Sequence, residues 1–177
     1  MRTFFLQNFL LAIILVSSCK RKEPKNNIIE KPKEILEVTI NLKANKKDIF
    51  RIELNNIRID EFQKMNIQVF EEVPVSTNYE TINVNFFDGM ISNNLVFNLG
   101  NKEEKTIDIS SIEITNGVRH IKIAPKQIPN YFRLNKFVEF DSISNKIITK
   151  KSGNKLNPKL VAKQGLINKI SPERYFY

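Results

Sequence analysis

Apolar residues recurring at every second position constrain this chain more than any other feature. Val38, Ile40 and Leu42 alternate with Thr39, Asn41 and Lys43, and Phe50, Ile52 and Leu54 alternate with Arg51 and Glu53. A period of two puts the apolar set on one face of a strand and the polar set on the other, so each run predicts a strand with one face in a core. Ile67 and Val69 carry the pattern on to about Val73. Ile82, Val84 and Phe86 form a fourth set, and Leu95, Phe97 and Leu99 a fifth. The apolar set then moves from odd numbers, Ile107 and Ile109, to even ones, Ile112 and Ile114. One extra residue in a ladder changes the phase in this way, which predicts a β-bulge or a bend between sheets at Ser110-Ser111.

Turn chemistry separates these runs. Asn55-Asn56 and Asp60-Glu61 interrupt the second one, Pro74 to Asn78 reads as a loop, and Lys102-Glu103-Glu104 as a charged turn. Asn116-Gly117 predicts a hairpin leading into Val118 to Ile123. Pro125 and Pro129 bracket another connection, after which Phe132, Leu134, Val138 and Phe140 suggest one or two strands and Ile147-Ile148 a short one. Residues 158 to 170, with Leu160, Val161, Leu166, Ile167 and Ile170, predict a short amphipathic C-terminal helix, against which Gly165 counts. About ten short strands with little helix define an all-β chain, a single antiparallel β-sandwich or jelly roll over residues 35 to 177.

The N-terminus follows other rules. Arg2, Phe4-Phe5-Leu6, an apolar run from Phe9 to Val16 and then small residues have the layout of a secretory signal. The run is far shorter than the ~20 residues that a spanning helix needs. Its end, Leu15-Val16-Ser17-Ser18-Cys19, resembles the lipobox of bacterial lipoproteins. That resemblance implies removal of residues 1 to 18 and attachment of a diacylglyceryl thioether and an N-acyl chain to Cys19. Several chains together hold a protein on a membrane. Lys20, where an Asp would favour the inner membrane, implies the outer membrane in a cell that has two. The plain alternative is a cleaved signal followed by an unmodified thiol. Cys19 is the only Cys, so no internal disulfide can form and stability must come from the core. Residues 19 to 34, rich in Lys with Pro24 and Pro32, read as a lipidated flexible tether.

Charge narrows the partners. Of 28 basic side chains only Arg2 precedes Cys19, and none of the 19 acidic ones does, so the chain after residue 18 carries a net +8. Eight basic residues and one acidic one lie between Lys146 and Arg174, with Lys150, Lys151 and Lys155 as a candidate basic patch. A cell-envelope address favours anionic head groups, acidic glycans or an envelope protein as partners over nucleic acid, for which no recognition motif is present. A solvated face explains the same lysines more simply.

No catalytic constellation is visible. There is one His, His120, and no phosphate loop or nucleophile elbow; Glu71-Glu72 and Glu103-Glu104 fall at strand ends or turns. The expectation is a non-enzymatic protein without cofactor or metal. Residues 82 to 115, including Leu95-Val96-Phe97-Asn98-Leu99-Gly100-Asn101 and Ile107-Asp108-Ile109-Ser110-Ser111-Ile112-Glu113-Ile114, resemble the second half of galactose-binding-like jelly rolls, although Trp, a common sugar platform there, is absent. That resemblance implies carbohydrate binding. Aromatic residues beside amides and carboxylates suit sugars, with the ring stacking and the polar groups taking hydroxyls. Tyr79, Phe87, Asp88 and Asn93 are candidates on loops, and Tyr131 and Arg133 on a further stripe with Asn135. The same aromatics also read as caps on the core ends. A membrane-anchored binding module is one expectation; a structural or accessory subunit of an envelope complex is the other.

Overall fold

A computed structural model describes residues 35–58, 62–87, 92 and 94–171, all within one compact unit. Cys19, the tether, Asp60, Glu61, Asp88 and Asn93 lie outside the described residues.

Eleven strands are present among the described residues. They are β1 (Leu36–Ala44), β2 (Asp48–Arg58), β3 (Lys64–Val73), β4 (Glu80–Phe86), β5 (Asn94–Asn98), β6 (Thr106–Asn116), β7 (Arg119–Ile123), β8 (Phe132–Leu134), β9 (Val138–Asp141), β10 (Lys146–Thr149) and β11 (Lys159–Ala162). A 3-10 turn at Pro125–Gln127 and two short α-helices, α1 (Ile128–Tyr131) and α2 (Gln164–Ile170), complete the described fold. The strands form two antiparallel sheets, one in the order β4-β1-β6-β10-β9 with β7 also paired to β6, the other in the order β3-β2-β5-β11-β8. This is the all-β sandwich expected from the alternation, with its short C-terminal helix. The core is one cluster in which Val38, Ile40, Leu42, Ile82, Val84, Phe86 and the four isoleucines of β6 join Phe50, Ile52, Leu54, Leu95, Phe97, Leu160 and Phe132. Burying a side chain of this size contributes about 1.5–3 kcal/mol, so a chain with no internal disulfide has a sufficient alternative source of stability.

The phase change in β6 is a bulge. Asn41 pairs with Ser111 and Leu42 with Ile109, leaving Ser110 as the extra residue. Its hydroxyl donates to the Asn41 carbonyl at 3.2 Å, and both Ile109 and Ile112 remain buried.

Three local expectations are corrected. Asn55-Asn56 does not turn the chain. Leu54 pairs with Ile67 and Ile57 with Met65, so β2 continues through a second bulge. There Asn56 takes φ 59°, and its N–H donates to Asn66 Oδ1 at 2.8 Å; an Asn tolerates this left-handed conformation because its short polar side chain suits it. The hairpin after β6 is one residue later than the Asn-Gly motif suggests. Asn116 pairs with Arg119, so Gly117, at φ 59°, and Val118 form the loop. Asn116 is freed for another task, donating its buried amide to the Ile170 carbonyl at the end of α2. Finally, residues 158 to 170 are not one helix. Lys159–Ala162 is a strand inserted between β5 and β8, and only Gln164–Ile170 is helical.

Candidate functional site

The first sheet turns an entirely polar row outward at one end. Lys43 on β1 pairs in register with Asp108 on β6, and their charged groups stand 3.5 Å apart. Tyr79, immediately before β4, donates its hydroxyl to Asp108 Oδ1 at 3.1 Å. The Lys43 ammonium lies 4.6 Å from the centre of the Tyr79 ring, within cation–π range. These residues flank a cleft of about 300 Å³ lined by Lys43, Asn45, Ser76, Thr77, Thr106, Asp108 and Lys146 above Ala44.

The walls of the cleft are fixed by short-range bonds. Ala44 bridges to Val75, and the Ser76 N–H donates to the Ala44 carbonyl at 3.2 Å. The Ser76 Oγ accepts from the Asn78 N–H and has both the Asn78 carbonyl and Glu80 Oε1 within reach of its one proton, closing the loop that presents Tyr79. On the facing wall the Thr106 N–H donates to Asn45 Oδ1 at 2.8 Å. Lys146, one strand further along, makes no ion pair within 4 Å among the described residues.

Partial burial raises the Tyr79 hydroxyl above its ordinary value of 10.0, and the hydrogen bond and negative charge of Asp108 raise it further, against an opposing effect of Lys43. Tyr79 is therefore a phenol, a donor and not a base, at neutral pH. The cleft offers ammonium and phenol donors, hydroxyls, an amide and one carboxylate. This suits reversible polar recognition. Among the described residues no three His, Cys, Asp or Glu side chains converge as a metal site requires.

Of the residues singled out in the sequence, Lys146, the first of the basic run, lines this cleft, and Tyr79 stands next to it through its contacts with Lys43 and Asp108. Phe87 follows β4 at its other end, roughly 27 Å away at the strand rise per residue, with its ring 75 % exposed. Tyr131 lies in α1, half-buried against the core with Lys169 5.6 Å from its ring centre. Arg133 faces solvent on β8, the edge of the second sheet remote from β3, whose strand lies beside β4. Asn135 is engaged in local structure: its Nδ2 donates to the Asn157 carbonyl, and its Oδ1 accepts from Phe137 and Lys159 N–H. Lys150 pairs with Glu139 at 2.9 Å, the Lys151 N–H meets the Glu104 carboxylate, and Lys155 closes a turn with Ser152. The sequence reading missed Lys43, Asn45, Thr106 and Asp108, which look like ordinary polar positions in or beside alternating strands until pairing places them side by side.

A second charged centre has a different character. Asp48 and Lys105 are 2.6 Å apart with side chains 1 % and 0 % exposed. Asp48 also accepts from the Ile49 and Lys102 N–H groups, and Lys105 Nζ donates to the Leu99 carbonyl. Burial alone would raise the Asp48 carboxyl, but the Lys105 hydrogen bond, the two backbone donors and the Lys105 charge hold it below its ordinary 3.8. With every partner internal, this pair clamps the loop from Leu99 to Lys105 and leaves nothing to a ligand.

Comparison with known proteins finds no matching family model, no matching curated protein and no matching solved structure.

Proposed function

We propose that this chain is a lipid-anchored module of a bacterial cell envelope that binds and does not catalyse, taking a carbohydrate in the cleft beside Tyr79. One observation carries the reading: the Tyr79 phenol and ring touch Asp108 and Lys43, two of the residues that line a cleft shared with Asn45, Ser76, Thr77 and Thr106. Sugars need a ring to stack on and hydroxyl partners close by. The likeness of residues 82 to 115 to galactose-binding-like jelly rolls points the same way. Cys19 carries the acyl chains in this account, and the basic tether favours a surface of anionic lipid or glycan, the outer membrane where there are two.

The test is retention of the chain on a glycan array before and after Tyr79→Ala, with thermal melting beside it. Loss of retention at an unchanged melting temperature supports the reading; retention by both proteins, or by neither, sinks it. For the anchor, fatty-acid labelling that persists in Cys19→Ala contradicts lipidation at that thiol.

The second reading is an accessory subunit of an envelope complex. It is favoured by Lys151 and Lys155, whose side chains are exposed and form no ion pair among the described residues. It predicts a co-purifying envelope protein that survives Tyr79→Ala and is lost when Lys150, Lys151 and Lys155 become Glu.

A further inference from the structure

Glu53 occupies the side of β2 that points away from the core, between the inward residues Ile52 and Leu54, and yet it is only 4 % exposed. Its Oε1 accepts from Arg51 Nε at 2.7 Å and lies 3.9 Å from Lys159 Nζ, and its Oε2 accepts from Asn55 Nδ2 at 3.4 Å. A carboxylate buried on an outer sheet face is sustained by the cations around it, and here it also fixes where they stand.

Arg51, Asn98 and Lys159 are in register across β2, β5 and β11. Two strand spacings set the cationic residues about 10 Å apart at the backbone. Asn98 between them is committed, accepting from the Gly100 N–H and donating to Asn157. On the other side, Phe70 pairs with Arg51 from β3, its ring 60 % exposed and 5.8 Å from the guanidinium carbon. Arg51 is thus held at Nε by Glu53 with the Phe70 ring beside it, while no hydrogen bond among the described residues uses Nη1 or Nη2. Arg133, outward on β8, adds a third cation to the same face, where the acids are Glu53 and Glu72, the latter paired with Lys47.

A guanidinium held at Nε presents its two terminal nitrogens as a fork, the shape that grips two oxygens of a carboxylate or phosphate. We propose that the outer face of the second sheet binds an oxyanion group, carboxylate or phosphate, between the Arg51 Nη atoms and Lys159 Nζ, with the apolar part of the ligand resting on Phe70. The site lies on the other sheet from the cleft beside Tyr79 and does not depend on it.

The full chain, labelled so that the Arg51 guanidinium is seen by NMR, is titrated separately with inorganic phosphate, glucuronate and neutral glucose. The expected result is a saturable shift with at least one anion and none with glucose; whichever anion saturates at lower concentration identifies the source of the oxyanion. Arg51→Lys keeps the charge and loses the fork, so affinity, read from neighbouring backbone signals, drops at least about tenfold. Lys159→Met, which leaves the Arg51–Glu53 contact in place, drops it by a similar factor and serves as the deciding variant should Arg51→Lys fail to fold. Absence of saturation with both anions, or undiminished affinity in these variants, overturns the proposal.

Discussion

Two lysine–aspartate pairs in this sandwich show how one chemistry serves two ends. Lys105 and Asp48 meet at 2.6 Å with both side chains sealed from solvent, whereas Lys43 and Asp108 meet at 3.5 Å with a third and a fifth of their side chains exposed. Around the first pair, backbone N–H and C=O groups complete the coordination, so both charges are satisfied within the fold. Around the second stand a phenol, hydroxyls and an open cleft. A buried pair contributes little net stability but is costly to break, because either partner left alone is a charge out of water. A half-exposed pair is already screened and exchanges partners cheaply. The first therefore fixes the loop from Leu99 to Lys105, and the second is free to meet a ligand.

The largest break in this comparison comes from Lys105→Met, which strands the Asp48 carboxylate. The expected cost is about 3–5 kcal/mol of unfolding free energy, read from urea melts; a cost below about 1 kcal/mol would mean that Asp48 is not sealed. Gly100→Ala follows. The residue sits at φ 80°, and a Cβ there would run into the Asp48 carboxyl group. Left-handed strain alone amounts to about 1–3 kcal/mol for a non-glycine residue, and the clash adds to it, so a melting temperature equal to that of the parent would contradict the close approach.

Acid sharpens the contrast. Because the folded Asp48 titrates below its ordinary 3.8, the unfolded chain binds that proton first. Its contribution is complete above the ordinary value and is lost as pH falls from there through the lower folded value. Stability should decline below about pH 4, and Asp48→Asn should flatten that limb; an unchanged slope in the variant would assign the acid sensitivity elsewhere. The smallest effect on stability belongs to Lys43→Met, under about 1 kcal/mol, although the same change removes a donor from the cleft and should weaken ligand retention.

The sequence discloses the sandwich because burial enforces period two. The same rule exposes the bulge at Ser110, where Ile109 and Ile112 must both reach the core. It fails where local pattern and tertiary context diverge. Leu160-Val161 and Leu166-Ile167 share a spacing that fits a helix, but the gap between β5 and β8 takes the first pair as a strand. Asn55-Asn56 has turn chemistry, yet one left-handed Asn is also what a bulge uses. The cleft was legible only at Lys146, as part of the basic run, and at the neighbouring Tyr79, since Lys43, Asp108 and Lys146 become neighbours through pairing of segments 38 to 103 residues apart. Asp48 and Lys105 looked equally ordinary: each begins or precedes a strand, and nothing local marks a charge that the fold will bury.

The most direct test of the central claim is a glycan array probed with the parent chain and with Lys43→Met at equal folded fraction. Retention of the parent on a defined set of glycans, markedly reduced in Lys43→Met while melting temperature holds, is the expected result. Equal retention by both, or no retention by the parent, would contradict a carbohydrate site in the cleft.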